Sequence, residues 1–214
     1  MIKRIIFDLD NTLIDWKDEY WHLGIIEACK KLNIPYTKNM EEKIIKVIDN
    51  YENKQEYYDI KVMQTSINKE LEKNYSTDFI KTILKYFEIC VPKQIDSNVL
   101  KTLEYLSIKY ELVILTNWFE NQQIQRLKNS GILKYFKKVY GTEKIKVKPN
   151  NEAFYSAMEN CKPDECIMIG DNLRIDIDGA IEAGMDAIFV NKKNIVVDKK
   201  YRQIRNIDEL INIL

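Results

Sequence analysis

Four short fragments of this 214-residue chain carry side chains able to do chemistry together. They are Asp8-Leu9-Asp10-Asn11-Thr12, Thr116-Asn117, Lys148-Pro149-Asn150, and Gly170-Asp171-Asn172-Leu173-Arg174-Ile175-Asp176. The set offers an acid pair, a hydroxyl-amide pair, a cation and a second acid pair. Two carboxylates spaced i and i+2 on leaving a strand point the same way, so Asp8 and Asp10 can address one reacting centre from adjacent positions. Each fragment also has an ordinary reading. The first can be a polar turn in which Thr12 satisfies local backbone. Thr116-Asn117 can be a strand end bonded to its own main chain. Lys144, Lys146 and Lys148 alternate like the solvated face of an edge strand, although Lys148 stands apart by its place before Pro149 and a helix start. Asp171 and Asp176 can be a turn acid and a helix N-cap.

The elements that would carry these residues are short apolar runs ending in polar residues. Ile5-Ile6-Phe7, Leu112 to Leu115, Cys166 to Ile169 and Ala187 to Val190 read as buried parallel strands, with Lys138-Val139-Tyr140 a weaker fifth. Helix-like stretches lie between the later ones: Phe119 to Ser130 closes on Gly131, and Asn150 to Asn160 opens with a capping residue. Alternation of strand and helix predicts an α/β fold, a Rossmann-like parallel sheet flanked by helices. From about Ile14 to Ile95 the pattern is helical without strands, as in the stripe Tyr57, Ile60, Met63, Ile67, and this predicts a small all-helical insert. Gly24 is the only glycine before Gly131, whereas four more punctuate the later part. The expected division is a core of residues 1–14 and 96–214 and a helical cap of residues 15–95, hinged near Leu13 to Asp15 and near Pro92.

In doubly wound sheets ligands bind at the carboxyl ends of the strands, and all four fragments fall at that end in sequence order. Their order and spacing resemble the four signature motifs of the haloacid dehalogenase superfamily. Asp8 to Thr12, Thr116, Lys148 and the pair Asp171/Asp176 match without a departure, and the stretch from Gly170 through Gly179-Ala180 to Gly184 is the most specific part. The cap matches only in kind, as a helical insert between the first and second motifs.

The resemblance implies a phosphatase acting on a small phosphorylated metabolite such as a nucleotide or sugar phosphate. Asp8 would attack phosphorus to give an aspartyl-phosphate, and Asp10 would protonate the leaving alcohol and then act as base toward water. Thr116 and Asn117 would contact the phosphate, Lys148 would bridge phosphate and nucleophile, and Thr12 and Asp176 would support them from behind. Carboxylates around a phosphate dianion require a hard divalent cation, and Mg2+ suits this composition; by the resemblance, Asp8, the backbone carbonyl of Asp10 and Asp171 would be its protein ligands. Asp10 argues against a dehalogenase, because a halide leaving group needs no proton. A sugar phosphomutase or a phosphonate-cleaving hydrolase on the same core is the alternative, and a non-catalytic phospho-ligand module is the alternative of another class.

Composition limits the partners. The 33 basic and 33 acidic residues cancel, so overall charge drives attraction to neither nucleic acid nor anionic membrane. No apolar run is long enough to span a bilayer, and Cys29, Cys90, Cys161 and Cys166 form no C-x-x-C pair, so thiols in a cytoplasmic setting are expected. His22, the sole histidine, reads as a satisfied helical residue. No G-x-G-x-x-G follows the first strand, which removes a dinucleotide fold. The insert carries Trp16, Tyr20, Trp21, Tyr36, Tyr51, Tyr57, Tyr58 and Tyr75, aromatic faces that could stack on a nucleobase if they overlie the site.

Overall fold

The computed structural model describes residues 1–214. Six parallel strands form one sheet in the order β3-β2-β1-β4-β5-β6. They are β1 (Arg4–Phe7), β2 (Glu111–Leu115), β3 (Lys138–Tyr140), β4 (Cys166–Gly170), β5 (Asp186–Val190) and β6 (Gln203–Ile204). The chain builds outward from β1 to β3 on one side, then crosses back and builds from β4 to β6 on the other. The reversal between β1 and β4 is the switch point at which a parallel sheet opens a crevice. There Phe7 is in register with Ile169, so the residues that follow both strands emerge side by side.

Side chains alternate across the sheet as a pleat requires. Ile5, Phe7, Leu112, Ile114, Ile167 and Ile169 face one buried layer that includes α5 (Ser97–Lys109). Ile6, Val113, Leu115 and Met168 face the other, against α7 (Asn151–Met158) and α8 (Gly179–Glu182). Strands covered on both faces explain why their sequences are continuous apolar runs rather than alternating ones.

Between β1 and α5 the chain forms α1 (Glu19–Lys31), α2 (Lys38–Lys54), α3 (Ile60–Leu71) and α4 (Thr77–Phe87). Thr37, Asp59 and Ser76 cap the last three through their side chains, which fixes where each starts. These helices share a hydrophobic cluster of 17 buried residues, to which Phe119 contributes from the loop after β2. No helix is long and apolar enough to cross a membrane.

Several sequence expectations change in detail. Tyr57 is exposed and precedes α3, so the buried stripe of that helix is Met63, Gln64 and Ile67. Residues 144–148 form an irregular loop with turns at each end rather than an edge strand, and of the three lysines only Lys148 is buried. Helix α7 ends at Met158, two residues before Asn160. Asp176 is no N-cap: it lies inside a π-helical turn, Leu173–Asp178, whose cap is Asn172. Such turns concentrate at functional sites. Strand β6, two residues long, has too little periodicity to be read in advance. His22 sits in α1 with Nδ1 2.7 Å from a Glu41 carboxylate oxygen, and all four cysteines are free thiols.

Candidate active site

Asp8 follows β1 directly, and its backbone N–H donates to the Ile169 carbonyl at 2.9 Å, which holds the start of the motif against β4. The chain then turns sharply at Asn11, whose φ of 61° is a left-handed conformation that Asn tolerates because its short side chain bonds locally. Here Asn11 Oδ1 accepts the Trp16 N–H at 3.0 Å, and Thr12 folds back so that its hydroxyl donates to Asp8 Oδ2 at 3.2 Å. The same hydroxyl lies 3.4 Å from Asp171 Oδ1.

Lys148 is 2 % exposed and its ammonium joins two acids, donating to Asp8 Oδ1 at 2.8 Å and to Asp176 Oδ1 at 2.6 Å. Burial alone would lower its pKa, but the charges of Asp176 and Asp8 outweigh that cost and raise it above the ordinary lysine value. The ammonium is therefore a fixed cation. Its main chain is fixed as well: the Asn117 amide donates to the Lys148 carbonyl at 2.9 Å and accepts its N–H at 2.7 Å. The Asn117 side chain thereby places the Lys148 main chain, and one of its two amide N–H groups has no protein acceptor. Asp176 completes the frame by accepting the Asn172 N–H at 3.0 Å. Its carboxylate fits only because residue 170 is glycine, since a Cβ there would stand 2.4 Å from Asp176 Oδ2.

Carboxylate oxygens of Asp8, Asp171 and Asp176 all lie within 4.8 Å of one another. One lysine does not balance three acids. Burial, together with the charges of Asp8 and Asp176, pushes Asp171 up to about 7, against the opposing pull of Lys148. An excess of hard oxygen donors around a single cation fits a hard divalent ion such as magnesium, and Asp171, which has no cationic partner of its own, is the donor such an ion would satisfy first.

Asp10 takes a different course. Its Oδ1 accepts from Arg126 Nη1 at 2.6 Å and its Oδ2 from Gln123 Nε2 at 2.8 Å. Both donors come from α6 (Glu120–Asn129) and are almost wholly buried, at 1 % and 0 % exposure. The Arg126 guanidinium also rests 5.0 Å from the Trp16 ring centre. Enclosure raises the Asp10 pKa, and Arg126 and Gln123 pull it back without cancelling the rise. Gln123 also donates to Thr116 Oγ1 at 3.0 Å, which leaves the Thr116 hydroxyl proton free to point into the cleft. Neither Gln123 nor Arg126 was singled out in the sequence. The available signal was polar residues at i and i+3 on the face of α6 where an apolar stripe belongs.

These groups floor a cleft of about 580 Å3. Asp8, Asp10, Thr116, Asn117, Lys148, Asp171 and Asp176 all line it, so the structure brings every sequence-selected polar residue but Thr12 to its wall, and Thr12 sits directly behind. Of the insert aromatics only Trp16 and Trp21 reach the cleft, joined by Trp118, which the sequence did not mark. Tyr51, Tyr58 and Tyr75 pack within the helical cluster and Tyr36 and Tyr57 are exposed.

The family described as haloacid dehalogenase-like hydrolase matches residues 2–184. The chain is similar to the HAD-hydrolase YfnB of Bacillus subtilis, 27% identical over 99% of this chain and 95% of that one. The crystal structure of magnesium-bound YfnB superposes with a TM-score of 0.75 at 23% identity, covering 99% of this chain and 98% of the other. It is also similar to N-acylneuraminate-9-phosphatase of Rattus norvegicus, 25% identical over 89% of this chain and 83% of that one. The glyceraldehyde 3-phosphate phosphatase of Methanothermobacter thermautotrophicus is 26% identical over 97% and 94%.

Proposed function

The chain belongs to the haloacid dehalogenase-like hydrolases, and we propose that it is a magnesium-dependent phosphatase that hydrolyses a small phosphorylated metabolite through an aspartyl-phosphate on Asp8. The observation that carries this reading is the Lys148 ammonium bridging Asp8 and Asp176 at 2.8 Å and 2.6 Å, with Asp171 in the same acid cluster. That arrangement supplies a nucleophile, a charge partner for phosphate and a cation site within one small volume. Two phosphatases among the relatives support the reaction class.

In the first step an Asp8 carboxylate oxygen forms a bond to phosphorus as the bond to the leaving oxygen breaks, and Asp10 gives its proton to that oxygen. In the second, water attacks the aspartyl-phosphate, Asp10 takes the water proton, and the bond from phosphorus to Asp8 breaks to release phosphate. Lys148 holds Asp8 in line and neutralises charge on the phosphoryl oxygens, where the Thr116 hydroxyl donates as well. Magnesium, held by Asp8, the Asp10 backbone carbonyl and Asp171, would supply the remaining positive charge. Asp176 and Thr12 position Lys148 and Asp8, and Asn117 positions Lys148 through its backbone. Residues 15–95 act as a cap over a core formed by residues 1–14 and 96–214.

Phosphate release from a panel of sugar phosphates, nucleotides and alkyl phosphates, with and without magnesium, tests this for the native chain and Asp8→Asn. Release should require magnesium and vanish in the variant. Release that survives in Asp8→Asn would refute the covalent route.

A further inference from the structure

On the phosphatase reading, a phosphate and its cation held by Asp8, Lys148 and Asp171 would leave the rest of the cleft for the alcohol half of the substrate. A total of about 580 Å3 is ordinary for a small-molecule site, which typically measures roughly 300–1,000 Å3. The walls of that upper chamber come from two sources. Trp16, Trp21 and Trp118 give aromatic surface, and Asp18, Asp49 and Glu52 give carboxylates. Asp18 precedes α1 without capping it, and Asp49 and Glu52 stand three apart on α2, so they share one helix face.

The charge count of the cleft is lopsided. Lys148 is the only cationic residue in its lining, and both its charge contacts are already taken by Asp8 and Asp176. None of Asp18, Asp49 and Glu52 has an ion-pair partner anywhere in the protein. A leaving group that carries a carboxylate or a further phosphate would meet three acids and no free cation. The tryptophans add a preference of the opposite sign, because the face of an indole attracts positive charge. Trp16 already shows this with the Arg126 guanidinium at 5.0 Å. Trp21 and Trp118 meet edge to face with centroids 6.0 Å apart, a right-angled corner rather than the parallel pair that would sandwich a flat base. Trp118 is held there by Gln122, which accepts its indole N–H and donates to the Leu84 carbonyl of α4.

We propose that the physiological substrate is the phosphate ester of a small cationic alcohol, an amino or ammonium alcohol whose positive charge sits in the Trp16, Trp21, Trp118 chamber against Asp18, Asp49 and Glu52. The proposal rests on the phosphatase reading of the same cleft. It names the class of leaving group and adds no step to the reaction.

The test is a charge-isostere comparison under magnesium: phosphocholine against 3,3-dimethylbutyl phosphate, which replaces the ammonium nitrogen by carbon at the same shape, with 3-phosphoglycerate as the anionic ester. Cleavage of p-nitrophenyl phosphate, inhibited by vanadate, is measured alongside. The cationic ester should exceed its neutral isostere in kcat/KM on the order of tenfold, chiefly through KM, with the anionic ester poorest. That ratio should shrink in Asp49→Asn and Glu52→Gln and at raised ionic strength. Turnover of p-nitrophenyl phosphate with equal or better use of the neutral or anionic ester overturns the cationic assignment and leaves the phosphatase reading standing. Absence of magnesium-dependent release from all four esters overturns both.

Discussion

Replacing Arg126 by Met separates a positioning role for this residue from a merely structural one. Arg126 is 1 % exposed, and through one face it donates to Asp10 at 2.6 Å and to Gln123 Oε1 at 2.8 Å. Removing one member of a buried ion pair costs about 3–5 kcal/mol when the survivor stays dry. Asp10 keeps 30 % of its side-chain surface at the cleft and can be rehydrated, so the low end, about 3 kcal/mol, is expected. That is a tolerable part of a stability of about 5–15 kcal/mol, and urea unfolding should find the variant folded. The kinetic loss should depend on the leaving group. With its clamp gone, the Asp10 carboxyl no longer aims at the leaving oxygen, and a proton-transfer contribution of about 10²–10⁴-fold is put at risk. The value of kcat/KM for an alkyl phosphate, whose alkoxide must be protonated as it departs, should fall about 10²-fold. For p-nitrophenyl phosphate, whose phenolate leaves unaided, it should fall by less than about tenfold, since kcat/KM reports only events up to the first irreversible step. Equal losses on the two esters in a folded variant would refute a positioning role through Asp10, and so would no loss on either.

Two further outcomes follow from other parts of the molecule. Gly170→Ala places a Cβ 2.4 Å from Asp176 Oδ2 and 2.5 Å from Asp176 Cβ, so the acid must move and take the Lys148 anchor with it; kcat should drop about 10²-fold with the sheet intact by circular dichroism. At the opposite end of the sheet, bonds from Lys138 and Arg4 hold Glu159 down to about 2. A depressed folded-state pKa stabilises above the unfolded carboxylate range and is lost as pH falls through it, so the Tm advantage of the native chain over Glu159→Gln should be constant near pH 6 and shrink between about pH 4.5 and 2. An advantage unchanged at pH 2 would show that the Glu159 charge contributes nothing to it.

What the sequence could disclose was set by whether a residue acts through its own segment or through a neighbour distant in the chain. Strands β1, β2, β4 and β5 announce themselves because a strand covered on both faces must be apolar along its whole length, and the residue after each run is placed by that strand alone. Asp8, Thr116 and Asp171 are readable for that reason. Lys148 is ambiguous in one dimension, since Lys144, Lys146 and Lys148 look alike; the Asn117 amide, 31 positions away, fixes the main chain of the last of them, and Asp8 and Asp176 draw its side chain inward. Asp10 shows the limit more sharply. Its i+2 spacing from Asp8 was legible, but its ion pair with Arg126 spans 116 positions and depends on how α6 packs beneath the turn. The same holds for the chamber above it. Asp18, Asp49 and Glu52 are three acids among 33 in a chain whose charges cancel, and no window of sequence sets them apart. Net neutrality describes the chain as a whole and conceals a local excess, because Coulomb energy follows distance and not composition. Residues placed by a strand end are therefore legible along the chain, where spacing alone fixes geometry, while the rest of the cleft lining is assembled across the fold, from residues brought together only by the packing of the helical insert on the sheet.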